Sequence, residues 1–116
     1  MIEGKRILVV EDEFIVAAML CDTLEDAGAL PVGPVGRVGE ALDAVVAEAV
    51  DAAVLDWNLC GEPSIPVAEA LAARGIPFVI ATGYGSVEAP FHDRPILGKP
   101  YVAAHLLDRL AALLVA

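Results

Sequence analysis

Five short apolar runs punctuate this chain. They are Arg6 to Val10, Ala29 to Val35, Asp51 to Leu55, Pro77 to Ala81 and Ile96 to Gly98. The first shows no alternation, as expected of a strand covered on both faces. Between the runs lie longer segments whose apolar residues recur at three- and four-residue steps. Strand and helix alternating five times imply a doubly wound α/β fold, (βα)5, with a five-stranded parallel sheet and right-handed crossovers. The second run is interrupted by Pro31 and Pro34. Proline cannot donate to a sheet ladder, so this strand is expected at an edge.

The periodic segments follow the same logic. From Asp12 to Ala27, Phe14, Ala17, Ala18, Cys21 and Leu24 repeat at helical spacing, and Gly28 is a natural stop. Val38, Leu42, Val45 and Ala49 mark a second helix. A loop from Asn58 to Ile65 leads to a third, with Pro66 in its first turn and Gly75 at its end. Ser86 to Arg94 is interrupted by Pro90 and followed by Pro95, so a short or irregular fourth helix is expected. The last helix runs from about Val102 to Leu114, with Leu106, Leu107, Leu110, Leu113 and Leu114 on its buried side. At 116 residues the chain, 1–116, makes one domain.

In doubly wound sheets, ligands bind beyond the carboxyl ends of the strands. Glu11 and Asp12 follow the first run, Asp56 the third, Thr82 the fourth and Lys99 the fifth. Each has a plainer reading. An acidic pair opening a helix complements the helix dipole, a threonine after a strand is commonly a cap, Lys-Pro is a common turn, and an aspartate ending a strand is usually a turn residue. Together at successive strand ends they form a much rarer combination. Three carboxylates at one sheet edge repel, so either some protonate or a divalent cation neutralises them. Oxygen-only ligands with an incomplete protein shell suit Mg2+. Beside such an ion a carboxylate can attack phosphorus, Lys99 adding a second positive charge and the Thr82 hydroxyl a hydrogen bond.

The formal net charge of −10 argues against binding nucleic acid or an anionic membrane. With 58% hydrophobic residues the chain is too apolar for a disordered acidic segment. Cys21 and Cys60 form no Cys-x-x-Cys pair, and two reduced thiols are expected. No run is long enough to span a bilayer or serve as a signal-peptide core, which predicts a cytoplasmic protein. His92 and His105 lie away from the strand ends, and Trp57, directly after Asp56, is expected over the mouth of the site.

From end to end the chain resembles a response-regulator receiver domain of two-component signalling. The likeness rests on Val9-Val10-Glu11-Asp12-Glu13, Val54-Leu55-Asp56, Ala81-Thr82-Gly83 and Lys99-Pro100. It implies a flavodoxin-like fold in which Asp56 is the phosphoacceptor. Asp12, Asp56 and the Asn58 backbone carbonyl would ligate Mg2+, with Glu11 acting through a bound water. Lys99 would pair with the phosphoryl group, and Thr82 would move towards it. Asn58-Leu59-x-Gly61-Glu62-x-Ser64-x-Pro66-Val67 and Gly75 to Gly85 further resemble the stand-alone subgroup of alphaproteobacteria with a Phe-Ala-Thr-Gly signature. Ile80 here replaces the signature Phe. That subgroup is associated with histidine kinases of the HWE and related types.

The resemblance implies a phosphoacceptor charged by a sensor histidine kinase or phosphotransfer protein, not an enzyme acting on separate substrates. It would signal by altered protein binding. One departure stands out: Ile96 occupies the place, three before the lysine, where most receivers carry an aromatic switch residue. Tyr84, two residues after Thr82, is the expected substitute. The alternatives are the receiver part of a hybrid kinase, although Met1 favours a complete chain, or a phosphorelay sink. An aspartyl-nucleophile phosphatase normally wants a second acid where Asn58 stands. A flavodoxin-like cofactor binder needs a phosphate cradle after the first strand, where Glu11-Asp12-Glu13 would repel one.

Overall fold

A computed structural model describes residues 2–83, 91, 94–98 and 102–114 of the chain. β1 (Arg6–Val10), β2 (Leu30–Val35), β3 (Ala52–Asp56), β6 (Phe78–Thr82) and β7 (Ile96–Gly98) form one sheet in the order β2-β1-β3-β6-β7. All of its pairings are parallel. The chain starts in β1, moves outward to β2, then crosses back to β3 on the other side of β1. The topological switch point therefore lies between β1 and β3. The proline-bearing β2 is an edge strand, as its missing donors require.

Strand alternation divides the core in two. Leu8 and Val10 of β1, Ala53 and Leu55 of β3, and Phe78 and Ile80 of β6 face α2 (Val38–Ala47) and α3 (Ile65–Ala73). Ile7, Val9, Ala52, Val54 and Val79 face α1 (Phe14–Asp26) and α4 (Ala103–Leu113), the last helix, through Leu20, Leu24, Leu106 and Leu110. Every residue of β3 and β6 is buried, which explains why their sequences read as unbroken apolar runs. Burying each large side chain contributes about 1.5–3 kcal/mol, so the strand ends are held by a rigid frame. Among the described residues no helix is long and apolar enough to cross a membrane.

Three expectations shift. α1 begins at Phe14, not Asp12, because Glu13 is still extended, with φ −84° and ψ 115°. Its buried face is Ala17, Leu20 and Leu24, while Phe14 is 85% and Met19 63% exposed. The apolar residues on α1 cover more than one face, so their spacing identified a helix without fixing its orientation. α2 ends at Ala47. The segment after β3 is more than a loop: β4 (Asn58–Leu59) and β5 (Glu62–Pro63) pair as a small antiparallel hairpin. Cys60 (φ 50°) and Gly61 (φ 83°) turn it, both at positive φ, the pattern that matches strand twist in a two-residue hairpin loop. The expected fourth helix falls largely outside the described residues.

Candidate functional site

Register brings the acids together. Val10 pairs with Leu55 across β1 and β3, so Glu11 and Asp12 emerge beside Asp56 at the switch point. Asp56 is opposite Ala81 on β6, and Thr82 follows one row further, opposite Gly98 of β7. Carboxylate oxygens of Glu11, Asp12 and Asp56 all lie within 4.8 Å of one another. Glu11, Asp56 and Thr82 are buried and Asp12 is exposed, so the cluster opens to solvent on one side. Lys99 directly follows Gly98, the partner of Thr82, and lies outside the described residues, as do Tyr84 and His92. His105 is exposed on α4.

The geometry is electrostatically demanding. Two unit charges 4.8 Å apart repel by roughly 3.5 kcal/mol at an effective dielectric constant of about 20. Burial pushes the Asp12 carboxyl up, but the Cys60 N–H and hydrogen bonds with the Asp56 and Glu11 side chains outweigh it. The net effect is to hold Asp12 below its ordinary value. Three carboxylates this close repel one another, and a divalent cation would neutralise the cluster. Its donor set is entirely oxygen, with one exposed member giving access. That fits a hard divalent ion that keeps part of its water shell.

The β4–β5 hairpin borders this cluster. The Cys60 N–H donates to Asp12 Oδ2 at 3.0 Å, while its thiol lies 3.7 Å from the Gly36 carbonyl. Asn58 stands two residues beyond Asp56; its N–H reaches Asp56 Oδ1 at 3.5 Å, and its Oδ1 accepts from the Gly61 N–H at 3.0 Å. Gly36 passes close to the acidic turn: a Cβ there would sit 3.3 Å from the Asp12 Cα. At the head of β1, the Glu13 N–H donates to Glu11 Oε2 at 3.1 Å, which turns that carboxylate back over its own loop.

Behind Asp56 the chain is clamped. The Trp57 N–H donates to the Ala81 carbonyl at 2.9 Å, and the Ser64 N–H to the Trp57 carbonyl at 3.1 Å. The Ser64 hydroxyl donates to the Asp56 carbonyl. The Trp57 ring meets Phe91 edge-on at 6.0 Å, and Phe91 meets Phe78 at the same distance. Arg94 lies 4.8 Å above the Phe78 ring. Trp57 is thus packed into the α2–α3 side of the core beside the acceptor strand. Ile96, opposite Ile80, is half-buried against that same core.

Sequence reasoning located the acids and Thr82 because strand ends are legible from apolar runs. It missed Ser64, Phe91 and the Cys60 N–H. Backbone donors leave no trace in residue type, and in the sequence Ser64 is only one residue of the loop after Asp56. The positive-φ turn had one visible sign, Gly61.

No family model matches the chain, and neither does any curated protein. Solved structures do. The chain is 53% identical to SdrG from Sphingomonas melonis Fr1 over 97% of this chain and 98% of that one, with a TM-score of 0.86. It is 50% identical to the BeF3-activated conformation of SdrG from Pseudomonas melonis Fr1, over 99% and 100% of the two chains, with a TM-score of 0.81. A response regulator receiver protein from Sinorhizobium medicae WSM419 superimposes with a TM-score of 0.86 at 29% identity, covering 98% of this chain and 97% of that one. With its parallel sheet and strand-end acids, the chain belongs to the response-regulator receiver domains of two-component signalling, phosphoacceptor modules charged by kinases or phosphotransfer proteins.

Proposed function

We propose that this protein is a single-domain cytoplasmic receiver that takes a phosphoryl group onto Asp56 in a Mg2+-dependent reaction. The observation carrying this reading is the gathering of Glu11, Asp12 and Asp56 within 4.8 Å at the switch point, with buried Thr82 one row away. Asp12, Asp56 and the Asn58 backbone carbonyl would hold the ion, and Glu11 would hold one of its waters. When bound, magnesium screens negative charge on the incoming phosphoryl group and orients it for in-line displacement.

The remaining work belongs to the chain itself. A carboxylate oxygen of Asp56 forms a bond to phosphorus as the donor's phosphorus–nitrogen bond breaks, and the donor imidazole takes up a proton. β3 holds Asp56 fixed for this approach, since every residue of that strand is buried. Lys99 balances charge on the transferred group, and the Thr82 hydroxyl hydrogen-bonds another of its oxygens. Asp56 is consumed rather than regenerated in this step, so the protein acts as a switch and not as an enzyme on separate substrates. Its donor is a sensor histidine kinase, of the HWE type on the subgroup resemblance, or a phosphotransfer protein.

Readout departs from the aromatic pattern. Ile96 packs against the core opposite Ile80, and an aliphatic side chain there has no ring to swing. Tyr84, two residues beyond Thr82, takes that role in our reading. Trp57 fluorescence tests the core proposal: Mg2+ and then a small phosphodonor should each change the emission, with the second change absent in Asp56→Asn. An identical phosphodonor response in that variant would defeat it.

A further inference from the structure

Ser64 stands at the N-cap position of α3, where a serine ordinarily accepts a hydrogen bond from a backbone N–H of the first turn. Here the side chain makes no such bond. The Ser64 backbone carbonyl alone receives the Val67 and Ala68 N–H groups, both at 3.0 Å. Its hydroxyl is turned the other way and donates to the carbonyl of Asp56. Ser64 is completely buried, so this polar group is committed to that partner and does not face water. Its own N–H donates to the next carbonyl, that of Trp57, at 3.1 Å.

One residue therefore fixes two consecutive peptide units immediately after the acceptor. From the opposite side, the Ala81 carbonyl holds the Trp57 N–H at 2.9 Å. These bonds set the path from Asp56 to Asn58, and with it both the angle of the acceptor carboxylate and the direction of the Asn58 carbonyl. Losing the hydroxyl leaves the Asp56 carbonyl buried with one partner fewer and frees the peptide that orients both groups. Second-layer partners of this kind govern how well first-layer ligands hold an ion.

We infer that Ser64 is a positioning residue for phosphoryl acceptance, aligning Asp56 and the Asn58 carbonyl through paired hydrogen bonds to the Asp56 and Trp57 carbonyls. The inference rests on Asp56 being the acceptor. It differs from a helix-capping role, which would support α3 without touching the site.

The test compares the wild type with Ser64→Ala and the near-isosteric Ser64→Cys, a weak donor that retains bulk if alanine fails to fold. Val67→Ala serves as a control that removes buried packing from the same helix and leaves the clamp intact. Magnesium affinity is measured by titration on folded protein, and phosphoryl acceptance from acetyl phosphate is followed by intact mass across donor concentrations. Both Ser64 variants should weaken magnesium binding by about tenfold. They should also lower the maximal acceptance rate without moving the donor concentration for half-maximal rate. Val67→Ala should lose stability alone. Unchanged affinity and rate in the Ser64 variants, or equal losses in Val67→Ala, would overturn the inference while leaving the acceptor assignment standing. A wild type that accepts no phosphoryl group would overturn both.

Discussion

Replacing Asp56 by asparagine should stabilise the metal-free protein even as it removes the proposed acceptor. Asparagine keeps the shape of the carboxylate and an oxygen facing the Asn58 N–H, while its amide can donate to Asp12 without an added proton. In the wild type, Asp56 places a third carboxylate within 4.8 Å of those of Glu11 and Asp12. At 4.8 Å and an effective dielectric constant of about 20, one such repulsion amounts to roughly 3.5 kcal/mol. Solvent around exposed Asp12 and the other groups bordering the cluster reduce the expected gain to about 1–3 kcal/mol. For a domain of this size that is a rise in Tm of about 4 °C per kcal/mol. Urea denaturation followed by far-UV circular dichroism measures it, first with chelator and then with magnesium. The gap should narrow in magnesium, because tenfold excess over Kd adds about 1.4 kcal/mol to a protein that binds it, and the variant binds it poorly. An Asp56→Asn protein no more stable than wild type in chelator would refute the electrostatic reasoning. So would equal stabilisation of both proteins by magnesium.

Three further outcomes follow from particular contacts. Phe91→Ala should cost about 3–5 kcal/mol and shift Trp57 emission to longer wavelength, because it removes a buried ring lying 6.0 Å from both Trp57 and Phe78; unchanged emission would contradict that packing. Alkylation at neutral pH should modify exposed Cys60 well before Cys21, whose thiol is pushed up by burial and further by Glu25 and Asp22; peptide mapping that found the reverse order would contradict it. Asp12 is held below its ordinary value, so its stabilising share is present above the unfolded value of about 3.9 and lost as pH falls through the lower folded value. Acid titration of stability should therefore fall more steeply in wild type than in Asp12→Asn, and parallel curves would count against this.

The legible part of the fold was what apolar pattern controls. Buried runs such as Ala52 to Leu55 and Phe78 to Ala81 located the central strands, and Pro31 and Pro34 sent β2 to an edge. Because parallel strands deliver their last residues to one rim, the positions of Glu11, Asp12, Asp56 and Thr82 in the sequence already group them. Orientation was less legible. Apolar residues surround much of α1, so Phe14 reads as core although it is 85% exposed. The helix also starts late, after extended Glu13, a backbone event with no compositional mark. The hairpin after Asp56 was hidden because two-residue strands are too short for periodicity to register. Ser64 was hidden for another reason: a serine in a loop has no unique partner in the sequence, and only the direction of its hydroxyl reveals the link to the Asp56 carbonyl.

The most direct test of the central claim is intact-mass measurement of the protein after incubation with acetyl phosphate and magnesium. One phosphoryl adduct should appear in the wild type, disappear with chelator, and be missing in Asp56→Asn. An adduct of equal yield in Asp56→Asn, or one indifferent to magnesium, would contradict the assignment of Asp56 as a magnesium-dependent acceptor.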